Sequence, residues 1–244
     1  MEHVVSTARA PRRRFLGLLT GSAALFGLAS LGGTTEAAAQ TRPPQKPGNA
    51  KGPADLWFDR VKGTHRVVYD APRPHAIMPF VWPRVFLVTN EKTGTPASDC
   101  GVVVVLRHDA ICYAFTDEMW AKYHFAEVFE ADKVGGAFQA ADKETATSVR
   151  NPFLNTKPGD FAVPGIGPVE IGINALMADG VMFCGCRAAM TVNAAIVGSK
   201  MGLDPEAVLK DWNEHLIPGV QPVPSGVWAL GRAQEHRCAY VFAG

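Results

Sequence analysis

Apolar and polar positions along this chain follow two rhythms. Continuous apolar runs mark strands buried on both faces, and apolar positions at three- and four-residue steps mark helices. Residues 102–106 read VVVVL, the composition of a strand inside a parallel sheet. Residues 65–70 (HRVVYD), closed by Pro72 and Pro74, give an earlier strand, 181–184 (VMFC) a later one and 239–242 (AYVF) the last.

Helical patterns lie between them. Residues 55–61 form a short helix presenting Leu56, Phe58 and Val61. Residues 79–93 contain VFLVT, which has strand composition, but Pro83 suits a helical first turn and Gly94 a helix end. Parallel strands also need a crossover of about a dozen residues, which selects helix. Thr116 or Asp117 caps a helix to about Phe129, with Met119, Trp120, Tyr123, His124 and Val128 as its periodic face. Residues 169–178 are helical and end at Asp179-Gly180. From Arg187, the positions Met190, Ala194, Val197 and Met201 recur helically, and Gly202 stands as the left-handed residue after the last turn. Asp204-Pro205-Glu206 opens a helix to about His215, 218–224 is extended, and Ser225 caps a helix over 227–236. Residues 130–168 carry turn signals throughout, with 149–153 as a stiff piece inside a long loop. Alternating strands and helices predict one α/β domain over residues 55–244 with a largely parallel sheet.

The first 39 residues read as a signal peptide: Arg12-Arg13-Arg14-Phe15-Leu16, an apolar stretch over 16–31, then Ala37-Ala38-Ala39. The arginines followed by Phe-Leu are of the twin-arginine type, which implies export, to a periplasm or beyond. The apolar segment is short and Gly-rich for a membrane anchor, so no stable span is expected after cleavage. Residues 40–54, rich in Pro and Gly, form a linker. Of the 24 Lys+Arg and 23 Asp+Glu, four and two lie in residues 1–39, leaving 20 and 21 in the remaining 205 residues, a net charge of −1. That balance, without a basic stripe, argues against a nucleic-acid partner.

All five cysteines (Cys100, Cys112, Cys184, Cys186, Cys238) lie in the domain, and an odd number leaves at least one thiol unpaired within a monomer. A strand running directly into a helix puts Cys186 at the helix N-terminus. The N–H groups of Arg187, Ala188 and Ala189 would then face the sulfur and favour the nucleophilic thiolate. The plainer reading is that Cys184 and Cys186 are small core hydrophobes. Ligand crevices of open α/β sheets lie beyond the carboxyl ends of the strands, where Arg107 and His108 follow VVVVL. If the two strands are neighbours, His108 could serve Cys186 as a base or electrostatic partner. Cys112, four residues beyond His108, is a candidate resolving thiol alongside Cys184. Arg107, Arg187, Arg150 and Asn151 are candidates to line the cleft. A Cys-x-Cys pair near His108 and Cys112 also admits a soft-metal site, although no second close Cys/His pair supports one. Phosphate-loop, HExxH, GxSxG and dinucleotide signatures are missing, and no metal or cofactor is expected.

Three pieces carry a resemblance: VVVVLRHDAI, LMADGVMFCGCRAAM and the ending PGVQPVPSGVWALGRAQEHRCAYVF. With Trp120-Ala121-Lys122-Tyr123 and Arg150-Asn151-Pro152-Phe153, they make residues 60–243 resemble the DsrE/DsrF-like (YchN-like) superfamily, in particular its exported members. The resemblance implies a flavodoxin-like parallel sheet with helices on both faces and a homo-oligomer such as a trimer or hexamer. It also implies that Cys186 is the position at which sulfur-relay members carry a persulfide, with small sulfur species or a thiol protein as partner. The relay members are cytoplasmic and work with partner subunits, whereas this chain carries an export signal and a long 130–168 loop. Fold therefore transfers more safely than function. The leading expectation is an exported sulfur carrier or sulfurtransferase-type protein with a reachable Cys186 thiolate. The alternative is a non-enzymatic, oligomeric protein that binds a small ligand or soft metal.

Overall fold

The computed structural model describes residues 51–134 and 149–244. The expected signal peptide (1–39), the linker up to residue 50 and the middle of the long loop (135–148) lie outside the described residues.

Five strands form one all-parallel sheet: β1 (His65–Ala71), β2 (Cys100–Leu106), β5 (Met182–Cys186), β6 (Gln221–Val223) and β7 (Ala239–Phe242), in the order β6-β5-β2-β1-β7. Side-chain alternation along β2 divides the interior in two. Val102, Val104 and Leu106 join Tyr69, Phe80 and Phe183 on one face, while Val103 and Val105 join Val68, Cys184, Val223, Trp57 and Phe58 on the other. Helices α1 (Pro53–Phe58) and α8 (Gly226–Glu235) cover the second face. The first is covered by α2 (Met78–Lys92), α3 (Asp117–Tyr123), α4 (Phe125–Val128), α5 (Ile173–Ala178), α6 (Arg187–Met201) and α7 (Pro205–Glu214). The protein is thus a flavodoxin-like α/β fold, and VVVVL is buried on both sides because both faces are layered. No helix among the described residues is long and apolar enough to cross a membrane.

Several expected elements change at their ends. The first-turn proline of α2 is Pro79, and Pro83 sits one turn further in. The helix expected from 116 or 117 to 129 is broken at His124, whose backbone is left-handed (φ 52°, ψ 47°), into α3 and α4. The helix expected over 169–178 starts only at Ile173, since Gly172 is extended and a side chain there would collide with Thr156. Within the long loop, β3 (Ala162–Val163) and β4 (Gly167–Pro168) form a small antiparallel hairpin. β5 runs two residues beyond the expected 184, so both Cys184 and Cys186 belong to it.

Two motifs prove to be ties between elements. Trp120 Nε1 donates to the Cys112 carbonyl at 2.9 Å, while Lys122 Nζ and Tyr123 OH donate to Asp211 on α7 at 2.8 and 2.6 Å. Asn151, fully buried, donates through Nδ2 to the carbonyls of Tyr113 and Phe115, both at 3.0 Å, and accepts from the Phe153 N–H at 3.1 Å. It clamps the loop to the segment after β2 rather than lining a cleft.

Asn151→Ala would leave two buried carbonyls and one N–H unpaired, a loss of about 2–4 kcal/mol to be read from urea unfolding. Burial raises the Asp211 pKa, but hydrogen bonds from Lys122 and Tyr123 outweigh it and hold the carboxyl below its ordinary 3.8. A depressed pKa contributes stability above about pH 4 that is lost as pH falls through the folded-state value. Asp211→Asn should therefore cost about 1–2 kcal/mol at pH 7, and its gap to wild type should close in melts toward pH 2.

Candidate functional site

In a parallel sheet all the carboxyl ends meet at one rim. Strands β2 and β5 are neighbours, with Val105 beside Cys184 and Leu106 beside Gly185. The chain stays extended at Arg107 (φ −137°, ψ 171°). Arg107 and Cys186, two residues past the Val105–Cys184 pair, therefore leave adjacent strands side by side on the face covered by α8.

Cys186 ends β5 and caps α6. Its Sγ accepts the Ala189 N–H at 3.2 Å, so one of the three expected donors reaches the sulfur. The Ala188 N–H turns instead to the Pro224 carbonyl at 3.3 Å, tying the start of α6 to the chain that enters α8. Cys186 is 5% exposed, less than a reachable nucleophile was expected to be.

Arg107 is held by a carboxylate that the sequence reading did not single out. Its Nε and Nη2 donate to the two oxygens of Asp70, at the end of β1, at 2.6 and 2.9 Å. Tyr240 OH, from β7, donates to Asp70 Oδ2 at 2.8 Å. Asp70 is 2% exposed, so its charge is tolerated only through these three bonds. The Asp70 hydrogen bond, with the charges of Asp70, Tyr240 and Cys186, raises the Arg107 pKa against the cost of its burial. At the start of α8, Gly226 makes room for Arg107: a Cβ there would stand 2.5 Å from the Arg107 Cβ. The legible signals were a carboxylate ending a buried strand before Pro72 and a tyrosine in the last strand.

His108 follows Arg107 with a left-handed backbone (φ 48°). Its ring is 68% exposed and its Nδ1 lies 3.0 Å from Asp109, while its carbonyl accepts from Asn193 of α6 at 3.3 Å. The main chain thus approaches α6, and the ring pairs with Asp109. Arg187 is exposed on the first turn of α6, and Arg150 is half-buried in the loop beside Asn151. Cys112 is fully buried, and burial pushes its pKa far up. Burial, then the neighbouring Cys186, does the same to Cys184. Burial lifts Cys238 to about 11 and also raises Cys100. All five thiols are free, and no group of three or more His, Cys, Asp or Glu among the described residues could hold a metal. A cavity of about 730 Å³ lies between α2 and the β3–β4 hairpin, lined by none of these rim residues.

Breaking the rim pair from one side leaves a buried charge: Asp70→Ala should cost about 3–5 kcal/mol in chemical denaturation. Tyr240→Phe removes one bond of the three and should cost about 1 kcal/mol.

No protein-family model matches the chain, and no curated protein matches it.

Proposed function

We propose that this protein is an exported, DsrE-like sulfur carrier in which Cys186 takes up a sulfane sulfur as a persulfide. The observation that carries the reading is the setting of the Cys186 sulfur, which caps α6, accepts the Ala189 N–H and stands beside the Arg107 cation. A helix N-terminus and a fixed guanidinium both favour negative charge on sulfur, and the thiolate is the attacking form. The other four thiols are pushed toward the neutral form by burial. Arg107 therefore takes the electrostatic role that the sequence assigned to His108.

The chemistry needs no cofactor. The Cys186 thiolate attacks the outer sulfur of a donor R–S–SH, a new S–S bond forms, the donor's S–S bond breaks, and R–S⁻ departs. No net oxidation occurs. With 5% of the residue exposed, a small donor such as inorganic polysulfide suits the site better than a bulky one. Cys184 points the same way along β5 but lies inside the core, where it suits packing better than resolution. The soft-metal alternative gains nothing from the described residues, which hold no third ligand for the pair.

The test is incubation of the folded protein with polysulfide, alkylation, digestion and mass spectrometry. One added sulfur atom is expected on the Cys186 peptide. Sulfur on Cys100 or Cys238 with Cys186 unchanged would sink the reading. The paired replacement Asp70→Asn with Arg107→Gln removes the cation without stranding a charge. It should slow Cys186 alkylation relative to wild type, read as the labelling rate of the Cys186 peptide at fixed pH.

A further inference from the structure

The two edges of the sheet are finished differently. Edge strand β6 is three residues long, carries Pro222, which has no N–H to donate, and lies against α1. Edge strand β7 is Ala-Tyr-Val-Phe, exposed along its whole length, with no proline and no charge. Among the described residues no strand pairs with its outer side. Native proteins ordinarily blunt such an edge, because its unpaired backbone groups invite another strand.

The backbone register says which groups are free. The Ala243 N–H donates to Asp70 of β1, so in a parallel ladder Ala239 and Val241 turn inward with it. The N–H and C=O groups of Tyr240 and Phe242 then point outward. Val241 stands opposite Tyr69, on the α2 side of the sheet. There α2 leaves a shallow apolar groove lined by Tyr69, Trp82, Val85, Phe86 and Val241. Trp82 is 40% exposed, Val85 41%, Val241 37% and Phe242 51%.

We propose that β7 is a dimerisation edge whose occupant is β7 of a second copy of this chain, paired antiparallel about a two-fold axis at Val241. Self-complementarity selects that occupant. In this register Tyr240 of one copy faces Phe242 of the other twice, and each facing pair exchanges two main-chain hydrogen bonds. The same two pairs set aromatic side chains across the strands on the α8 side, a favourable cross-strand match. On the other side Val241 meets its mate, and a two-fold normal to the sheet puts both α2 helices on that side, so each groove is closed by the other copy. With no charge on either strand, nothing opposes the approach. Ten parallel-and-antiparallel strands would then run as one sheet, five from each copy.

Sedimentation velocity over a concentration series tests this, with the full protein and with Val241→Lys. The wild type should be a dimer that dissociates on dilution. Val241→Lys sets two ammonium groups on the axis, where facing Cα atoms are about 4.5 Å apart, and should be a monomer with unchanged circular dichroism. In wild type the Tyr240 and Phe242 amides should be protected from hydrogen exchange at high concentration and lose at least tenfold of that protection on dilution. A wild type that stays monomeric would overturn the proposal. So would an assembly, trimeric or otherwise, that survives Val241→Lys with those two amides exchanging freely. Val241→Lys should still take up sulfur at Cys186, so failure of the dimer and failure of the sulfur reading are separately visible.

Discussion

The structure depends on a parallel sheet buried on both faces. That constraint explains why the strands read as unbroken apolar runs, and it sends every carboxyl end to one rim. Asp70, Arg107, Cys186 and the chain into α8 come from four separate parts of the sequence, yet β1, β2, β5 and β6 deliver them side by side. A carboxylate on β1 at this depth would be prohibitive alone. The bidentate guanidinium from the end of β2 and the phenol from β7 make it tolerable, and so bind three strands together at the rim. The same bonds fix the direction of Arg107, the cation beside the sulfur.

Much of this fold was legible in the residues. VVVVL and VMFC became strands because a strand with both faces covered has no polar positions to place, whereas AYVF became the exposed edge strand β7. The start signals of α7 and α8 worked as local chemistry: Asp204 accepts from the Glu206 N–H at 3.2 Å and Ser225 from the Trp228 N–H at 3.2 Å. The readings that shifted depend on contacts distant in sequence. The periodic face from Met119 to Val128 gave no hint of the left-handed turn at His124. The late start of α5 follows from Thr156 lying against Gly172, and the length of β5 from pairing with β6.

The candidate site was legible by half. A strand–cysteine–helix junction is a local feature, and Cys186 stands where its sequence placed it, as the cap of α6. Its partner depends on strand order and side-chain parity, which spacing alone does not reveal. Parity gives Arg107 to the face of Cys186, and the left-handed step at His108 turns the next ring toward Asp109. Asp70 was hidden because a carboxylate at a strand end reads as a turn residue until its partners are seen. Asn151 was over-read for the opposite reason: a polar residue in a Pro-bounded loop suggests a cleft, whereas here its amide replaces the main-chain pairing that the loop lacks.

Rim and edge are joined through one side chain. Tyr240 turns its hydroxyl inward to Asp70, while the register of β7 turns its N–H and C=O outward. The same residue thus closes the charge network behind Arg107 and supplies backbone groups to the open edge. A buried carboxylate with three donors has little slack, since loss of any one donor returns desolvation cost to the pair. Tyr240 thus stands one hydrogen bond from the carboxylate that orients the cation next to Cys186. The open edge and the Arg107–Cys186 rim therefore share one residue, Tyr240, and a substitution there reaches both.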